Sequence, residues 1–466
     1  MSDRVHAFTD DALGGHDAVA LAELVRSGAL GPGELAEAAL VRADTVNPRL
    51  NAIAHRCPSP RVAPADSGVW YGVPAFVKDN ADLAGLPTCH GSAAITPHPA
   101  AKDDRFSAQL LSTGITVLGK TTMPEFGFTS TTEFESSDPT RNPWDTGYTV
   151  GGSSGGSAAM VAAGVVPVAH GNDGGGSLRI PAACAGLVSL KPSRFRHLDN
   201  AQARQLPIKL VSEGVLSRSV RDQAAYHAAA EKYWRNPKLP PIGTVEGPSD
   251  RTLRIGLLTT ACNGREPDAA TAAAVHDTAA ILEAAGHAVE PMAAPVAPSL
   301  VDDFLRYWGF LAQMSGVTGK FSHGRSFDAA RLDAFTKGLA AAFRRQFLAT
   351  PGSLYRLNKA RTDYDEVLTR YDVILSPVLT HTTPELGYLR PGVPFDELLE
   401  RVTNFVGYTP INNVTGSPSI AVPAGLTDAG LPVGVMLSGA YGDERTLLEL
   451  AFLLEAQRPF PRIGDS

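Results

Sequence analysis

The sequence predicts an α/β fold built on a largely parallel or mixed β-sheet. Short apolar runs of strand length alternate along the chain with longer segments of helical spacing, which is the pattern of βα units. The chain has 466 residues and is 44% hydrophobic, so it can bury a sizeable core. Its 45 glycines and 35 prolines, without a collagen period, predict many tight turns.

The chain opens with two helical segments. Residues 17–27 and 32–46 carry apolar side chains at helical spacing, and Gly28 and Gly31 separate them. We expect residues 1–50 to form an N-terminal helical segment that packs on the rest of the chain.

Strands and helices alternate beyond this opening. The strand-like runs are residues 116–118, 165–169, 253–258, 373–375 and 419–422, and the helical patterns are residues 106–111, 219–234, 268–285 and 446–455. The Pro-rich stretch 236–248 is typical of a surface linker, but it does not require a domain boundary. We therefore expect a single domain over residues 1–466.

Composition excludes several classes of protein. A net charge of −7 gives no basic surface for nucleic acid, so we expect no such partner. The longest nearly apolar stretch, 158–169, is too short to cross a bilayer, and the polar N-terminal residues 1–11 favour a cytoplasmic location. The 4 cysteines lie far apart and no His-Glu-x-x-His pattern occurs, so we expect no disulfide framework, no metal and no cofactor.

Residues 114–121 match the phosphate-loop pattern, but the match is misleading. A phosphate loop needs a flexible segment between its glycines, whereas residues 115–118 are the strand-forming Ile-Thr-Val-Leu. We predict a strand that ends near Gly119, with Lys120 in a packed sheet rather than beside a nucleotide.

Two serine-bearing glycine clusters flank an apolar segment. The first, residues 151–157, also fits the nucleophile elbow of α/β-hydrolases, for which the downstream histidines are His227, His276, His287, His323 and His381. The second, residues 171–181, places three glycines before Ser177, so that backbone N–H groups can converge on an oxyanion. Because the segment between them is strongly apolar, both loops are expected to be fixed to one buried unit.

Lys78 ends an apolar, strand-like run. Such a lysine usually reaches solvent, but if it is buried, desolvation disfavours its charged form and makes it a usable base.

Taken together, these motifs resemble the amidase signature family of serine hydrolases. The resemblance covers nearly the whole chain, and the segments that carry it are 46–52, 72–79, 119–121, 142–144, 151–157, 173–181, 191–193, 214–222, 413–418 and 430–434. It implies a central mixed β-sheet covered by helices on both faces. Gly174 departs from the family pattern, in which isoleucine or threonine is common, and Ser189 and Phe195 stand where glycine is frequent.

The resemblance also implies a Ser-Ser-Lys triad. Ser177 matches the acylating nucleophile, Ser153 the bridging serine in a cis peptide, and Lys78 the base. The implied oxyanion donors are the backbone N–H groups of Gly174, Gly175, Gly176 and Ser177.

Gly127 and Phe128 match positions near the substrate. The aromatic helical segment 304–311 belongs either to the core, which we favour, or to the entrance.

The implied activity is hydrolysis of a carboxylic amide, with a small-molecule amide as substrate and no membrane partner. The in-family alternative is the glutaminase-type subunit of a tRNA-dependent amidotransferase. For the assembly, we consider a homodimer.

Overall fold

The computed structural model describes residues 3–64, 68–201 and 203–465, so Met1 and Ser2 of the polar N-terminal stretch lie outside the described residues. The α-helices are α1 (Ala18–Arg26), α2 (Pro32–Leu50), α3 (Arg105–Leu111), α4 (Gly155–Ala162), α5 (Arg179–Ala185), α6 (Val220–Tyr233), α7 (Ala269–Ala284), α8 (Leu300–His323), α9 (Ala334–Gln346), α10 (Thr350–Val367), α11 (Phe395–Phe405), α12 (Pro410–Thr415) and α13 (Glu444–Gln457).

The strands form two mixed sheets and a small hairpin. They are β1 (Ile53–Arg61), β2 (Pro74–Lys78), β3 (Thr116–Thr121), β4 (Arg141–Asn142), β5 (Asp145–Thr149), β6 (Val168–Asp173), β7 (Ser189–Lys191), β8 (Ser212–Ser217), β9 (Arg254–Leu257), β10 (Ala288–Pro291), β11 (Val373–Pro377), β12 (Ser419–Leu426) and β13 (Pro432–Gly439). The first sheet has the order β1-β3-β2-β6-β8, and the second has the order β10-β9-β11-β13-β12-β7.

A backbone bridge joins the two sheets at their facing edges. The N–H of Val188, just before β7, donates to the carbonyl of Ser217 in β8 at 2.9 Å, and the reciprocal bond is 3.0 Å. Helices pack on both sides of these mixed sheets, so the α/β prediction is confirmed. The predicted central sheet is therefore two sheets joined at one bridge.

The opening helical pair forms where the sequence predicts it. The Asp17 side chain caps α1 by accepting the N–H of Ala20 at 3.0 Å. The Asp222 carboxylate accepts the first two N–H groups of α1, from Ala18 and Val19. Gly31 precedes Pro32, the first residue of α2.

The sheet that carries the chemistry is buried along its centre. Strands β2, β3 and β6 are buried at every position, and α4 packs against β2 and β6. Lys120 lies inside β3 and not in a loop, where its Nζ donates to Thr88 Oγ1 at 2.6 Å and contacts Asp79 Oδ1 at 3.3 Å. The phosphate-loop match is thus a strand, as predicted.

No helix in the described part of the chain combines the length and apolar character needed to cross a membrane.

Candidate active site

The site lies where two neighbouring parallel strands end. Strand β2 ends at Lys78, and its neighbour β6 ends at Asp173, immediately before the loop that carries Ser177. Carboxyl ends of parallel strands meet at the same edge of a sheet, so the lysine and the loop are brought together. The other glycine cluster, which precedes α4, supplies Ser153 and Ser154.

Lys78 is the hub of the site. Its side chain is fully buried, and its Nζ lies 2.8 Å from Ser153 Oγ, 3.0 Å from Ser154 Oγ and 2.7 Å from Asn172 Oδ1. Burial lowers the pKa of Lys78 from 10.5 to about 7, although Glu213 and Asp173 oppose this change. The sequence predicted the Lys78–Ser153 pair but not Ser154 or Asn172.

The hydrogen bonds of Lys78 fix the direction of its lone pair. Asn172 Oδ1 can only accept, so it accepts from Lys78 Nζ. The Ser154 hydroxyl donates its proton to the backbone carbonyl of Asn172 at 3.3 Å, so its oxygen also accepts from Lys78 Nζ. These two contacts use both N–H groups of a neutral amine. The remaining lone pair points to Ser153, whose hydroxyl proton it can receive.

Ser153 and Ser177 line the same open cavity, of about 720 Å³. Ser177 is 8% exposed, and its Oγ has no hydrogen-bond partner in the described residues, which leaves it open to the cavity. The Gly152–Ser153 peptide bond is cis. No histidine among the described residues bonds to Ser153, so the structure does not support the nucleophile-elbow alternative.

The loop before Ser177 offers three free backbone donors instead of the four expected. The N–H of Gly176 already donates to Asp173 Oδ1 at 2.7 Å, because the carboxylate folds back over its own loop. This bond removes Gly176 from the predicted oxyanion set. The N–H groups of Gly174, Gly175 and Ser177 have no such bond within the described part of the chain.

A buried ion pair holds this loop in shape. Arg179 donates from Nε and Nη2 to the two carboxylate oxygens of Asp173, each at 2.9 Å, and Nη2 also donates to Asn413 Oδ1 at 2.7 Å. Burial opposes ionisation of Asp173, but the charge and hydrogen bonds of Arg179 outweigh it and hold the pKa of that carboxyl well below its usual range. The sequence analysis did not predict this network, although the position of Arg179, two residues after Ser177, was a signal for it.

Close neighbours restrict two glycines of the loop. Gly176 has φ +133°, and a Cβ there would lie 2.3 Å from Thr409 Oγ1. A Cβ on Gly175 would lie 3.0 Å from Phe304 Cζ. The loop therefore passes Thr409 at Gly176 only as bare backbone, and a side chain at Gly175 would require the Phe304 ring to move.

Gly127 and Phe128 stand between two cavities that meet at Ser177. Both residues line the cavity of about 720 Å³, named here the outer cavity, and also a smaller cavity of about 80 Å³, named here the inner chamber. Trp308 completes this wall, because its indole N–H donates to the Phe128 carbonyl at 3.1 Å. In the aromatic helix, Tyr307 belongs to the core as we favoured, whereas Phe304 and Trp308 line the cavities.

One group of three potential metal ligands occurs in the described ranges. His55, Asp79 and Cys89 each offer an atom within 4.8 Å of the others. The Lys120 ammonium already contacts Asp79 there, and none of these side chains bonds to Lys78, Ser153 or Ser177.

Comparison with known proteins agrees with this geometry. The family model described as Amidase matches residues 34–448. The chain is 46% identical to a Mycobacterium leprae (strain TN) protein named "Putative amidase AmiC", over 99% of this chain and 100% of that protein.

Two further relatives cover nearly the whole chain. A 6-aminohexanoate-cyclic-dimer hydrolase from Pseudomonas sp. (strain NK87) is 33% identical over 95% of both chains. The crystal structure of a bacterial aryl acylamidase of the amidase signature family superposes with a TM-score of 0.82, 25% identity and 96% coverage of both chains.

Proposed function

The chain belongs to the amidase family, and we propose that it hydrolyses carboxylic amides through an acyl-enzyme formed on Ser177. It is an amidase, a hydrolase of amide C–N bonds; its relatives support this activity over that of a glutaminase-type amidotransferase subunit. The observation that carries the proposed mechanism is the 2.8 Å contact between the buried Lys78 amine and Ser153.

In the proposed acylation step, the Ser177 hydroxyl, which has no hydrogen-bond partner within the described residues, turns toward Ser153. Lys78 then draws the proton of Ser153, and Ser153 draws that of Ser177. The freed Ser177 Oγ attacks the amide carbon, and the negative charge that forms on the carbonyl oxygen is met by the N–H groups of Gly174, Gly175 and Ser177. The proton then returns through Ser153 to the amide nitrogen, the C–N bond breaks, and the amine leaves. The acyl group remains on Ser177 as an ester.

Deacylation repeats these proton movements with water. A water molecule in the open cavity gives its proton to Ser153 and Lys78 as it attacks the ester carbon. The tetrahedral intermediate collapses, Ser177 recovers its proton through Ser153, and the carboxylic acid leaves and loses its own proton to solvent.

The two cavities assign places to the two halves of the substrate. Ser153 must reach the leaving nitrogen, and Ser153 lines the outer cavity, so we place the amine there. The acyl group then occupies the inner chamber beside Gly175, Ile180 and Phe304, where every lining side chain is uncharged. About 10–15 Å³ of such space holds one water, so about 80 Å³ suits an uncharged acyl group of about five to eight non-hydrogen atoms.

Covalent labelling tests the assignment of the nucleophile. A fluorophosphonate probe should label the parent enzyme, and Ser177→Ala should lose all labelling while keeping its circular dichroism spectrum. Ser157→Ala, in the first glycine cluster, is the control serine, because Ser157 bonds to the His170 carbonyl at 2.7 Å and not to Lys78. Labelling that persists in Ser177→Ala would exclude the proposed nucleophile.

A series of anilides tests the placement of the acyl group. Neutral acyl groups of up to about eight heavy atoms should react faster than dodecanoyl or succinoyl anilides, since the inner chamber is short and uncharged. Phe304→Ala should shift the preference to longer chains, whereas Met314→Ala, in the outer cavity, should not. The opposite result would place the acyl group in the outer cavity.

A further inference from the structure

A buried imidazole and a buried carboxyl lie behind Lys78, and acyl transfer does not use either of them. His170 Nδ1 is 3.2 Å from the backbone nitrogen of Lys78, and His170 Nε2 is 3.0 Å from Glu213 Oε2. All three residues are at most 3% exposed. A buried histidine and glutamate are costly unless they are paired, so their place beside the base needs an explanation.

Three adjacent strands carry these groups, and His170, Asn172 and Glu213 share one face of the sheet. Lys78 ends β2, His170 and Asn172 lie two residues apart on β6, and Glu213 on β8 pairs directly with Asn172. Residues two apart on a strand share a face. Two side chains of β6 therefore bind Lys78. The His170 ring accepts the backbone N–H of Lys78, and Asn172 Oδ1 accepts from Lys78 Nζ.

The direction of the hydrogen bonds fixes the tautomer of His170. A backbone N–H can only donate, so Nδ1 carries no proton and accepts it. The ring proton is then on Nε2, which donates to Glu213. Burial, with Lys78 and Lys120 adding to it, lowers the pKa of His170 well below its usual range, so the ring stays neutral.

The surroundings of Glu213 disfavour its ionised form. Burial raises the pKa of its carboxyl well above the usual range, and Asp104 and Asp199 add to this effect. Lys78 and the Asn200 N–H oppose it. The ring of Phe106 packs 4.8 Å from the His170 ring. Glu213 Oε2 thus serves His170 Nε2 as a hydrogen-bond acceptor at 3.0 Å.

We propose that His170 and Glu213 form a positioning pair for the base. Glu213 orients the imidazole, and the imidazole holds the end of β2 so that Lys78 Nζ stays within reach of Ser153. This inference rests on the proposed role of Lys78. A misplacement of about 1 Å can cost about 10²-fold in rate, which is the effect that we expect when the pair is removed.

His170→Phe tests the pair, with His227→Phe as the matched control. His227 is also fully buried and neutral, and its Nδ1 bonds to His197 Nε2 at 2.9 Å, away from Lys78. The readout is the rate constant for fluorophosphonate labelling. This rate constant does not depend on how much of the variant is folded, because only folded molecules react and their amount sets only the amplitude. We expect a loss of about 10²-fold in His170→Phe and an unchanged rate constant in His227→Phe.

Glu213 provides a second test that does not depend on the His170 variant folding. Glu213→Gln keeps an acceptor for the ring N–H, so its labelling rate constant should stay within about threefold of the parent, whereas Glu213→Leu should fall about 10²-fold. Equal rate constants in the parent, His170→Phe and Glu213→Leu would overturn the proposal. So would a Glu213→Gln variant as slow as Glu213→Leu. Loss of the proposed function itself would appear instead as labelling that survives Ser177→Ala.

Discussion

The pH dependence of hydrolysis should report the state of Lys78. Burial lowers its pKa to about 7, and the working base is the neutral amine. Below that pH the amine is protonated and cannot draw the Ser153 proton, so kcat/KM should rise with pH through a limb centred near 7. A solvent-exposed lysine would place the same limb above pH 10.

The size of the effect follows from the site. Moving the pKa of Lys78 from 10.5 to about 7 corresponds to about 5 kcal/mol in favour of the neutral amine. Between these two pH values the unfolded chain binds one more proton than the folded one at this residue, so stability should rise with pH. Relative to Lys78→Met, the parent should gain about 1.4 kcal/mol per pH unit in that window.

The assay is kcat/KM from pH 5 to 10 for the parent, Lys78→Ala and Lys191→Met. Lys78→Ala should lose about 10²–10⁴-fold and the limb with it. Lys191 is the matched control, because burial also lowers its pKa to about 7, while its Nζ bonds only to the Pro192 carbonyl, at 2.7 Å, within the described residues. A limb that survives in Lys78→Ala, or disappears in Lys191→Met, would refute the assignment of the base.

Three other predictions concern the loop and the absence of a metal. Arg179→Met leaves the Asp173 carboxylate buried without its partner, so thermal melting should show a loss of about 3–5 kcal/mol. Gly176→Ala puts a methyl group against Thr409. Size-exclusion chromatography should therefore show misfolded protein, or activity assays inactive protein. Normal kinetics would contradict the loop geometry. Exhaustive chelation should leave kcat unchanged, because no proposed step uses a metal; activity restored by added metal would contradict the mechanism.

Local sequence patterns predicted the parts of the site that are local in the chain. The strand ending at Lys78 and the two glycine clusters are visible because apolar runs and glycines have short-range structural causes. The Asp173–Arg179–Asn413 network joins residues 240 positions apart, and no periodicity encodes such a contact. The same holds for His170 and Glu213, whose pairing depends on the register of β6 against β8.

The fold was predictable to a similar extent. The runs at 116–118, 373–375 and 419–422 became β3, β11 and β12, and the helical patterns at 219–234 and 268–285 became α6 and α7. The long helix α8 was recognised only over residues 304–311, since Ala312 and Gly319 are the only buried residues in its C-terminal half, which the structure describes in full. Which side of α8 faces the cavities depends on packing against α9 and α10, which the local pattern does not contain.

Strand alternation explains why the two basic residues at this edge of the sheet have different partners. Asn172 and Asp173 are neighbours on β6, so their side chains point to opposite faces. The neutral amide meets Lys78 at 2.7 Å, and the carboxylate meets Arg179 at 2.9 Å. A one-residue shift of β6 would give Lys78 the carboxylate and keep its amine charged.

Asn172→Asp tests this argument with almost no change in shape. It places a carboxylate at the amide position, 2.7 Å from Lys78 Nζ, and an opposite charge at that distance raises the pKa of a lysine. The limb of kcat/KM should therefore move from near 7 to a higher pH. Activity lost at pH 7 should return in alkaline buffer, and Asn172→Leu, which adds no charge, should not show this return. An Asn172→Asp limb that stays near 7 would mean that the hydrogen-bond partners of Lys78 do not control its charge.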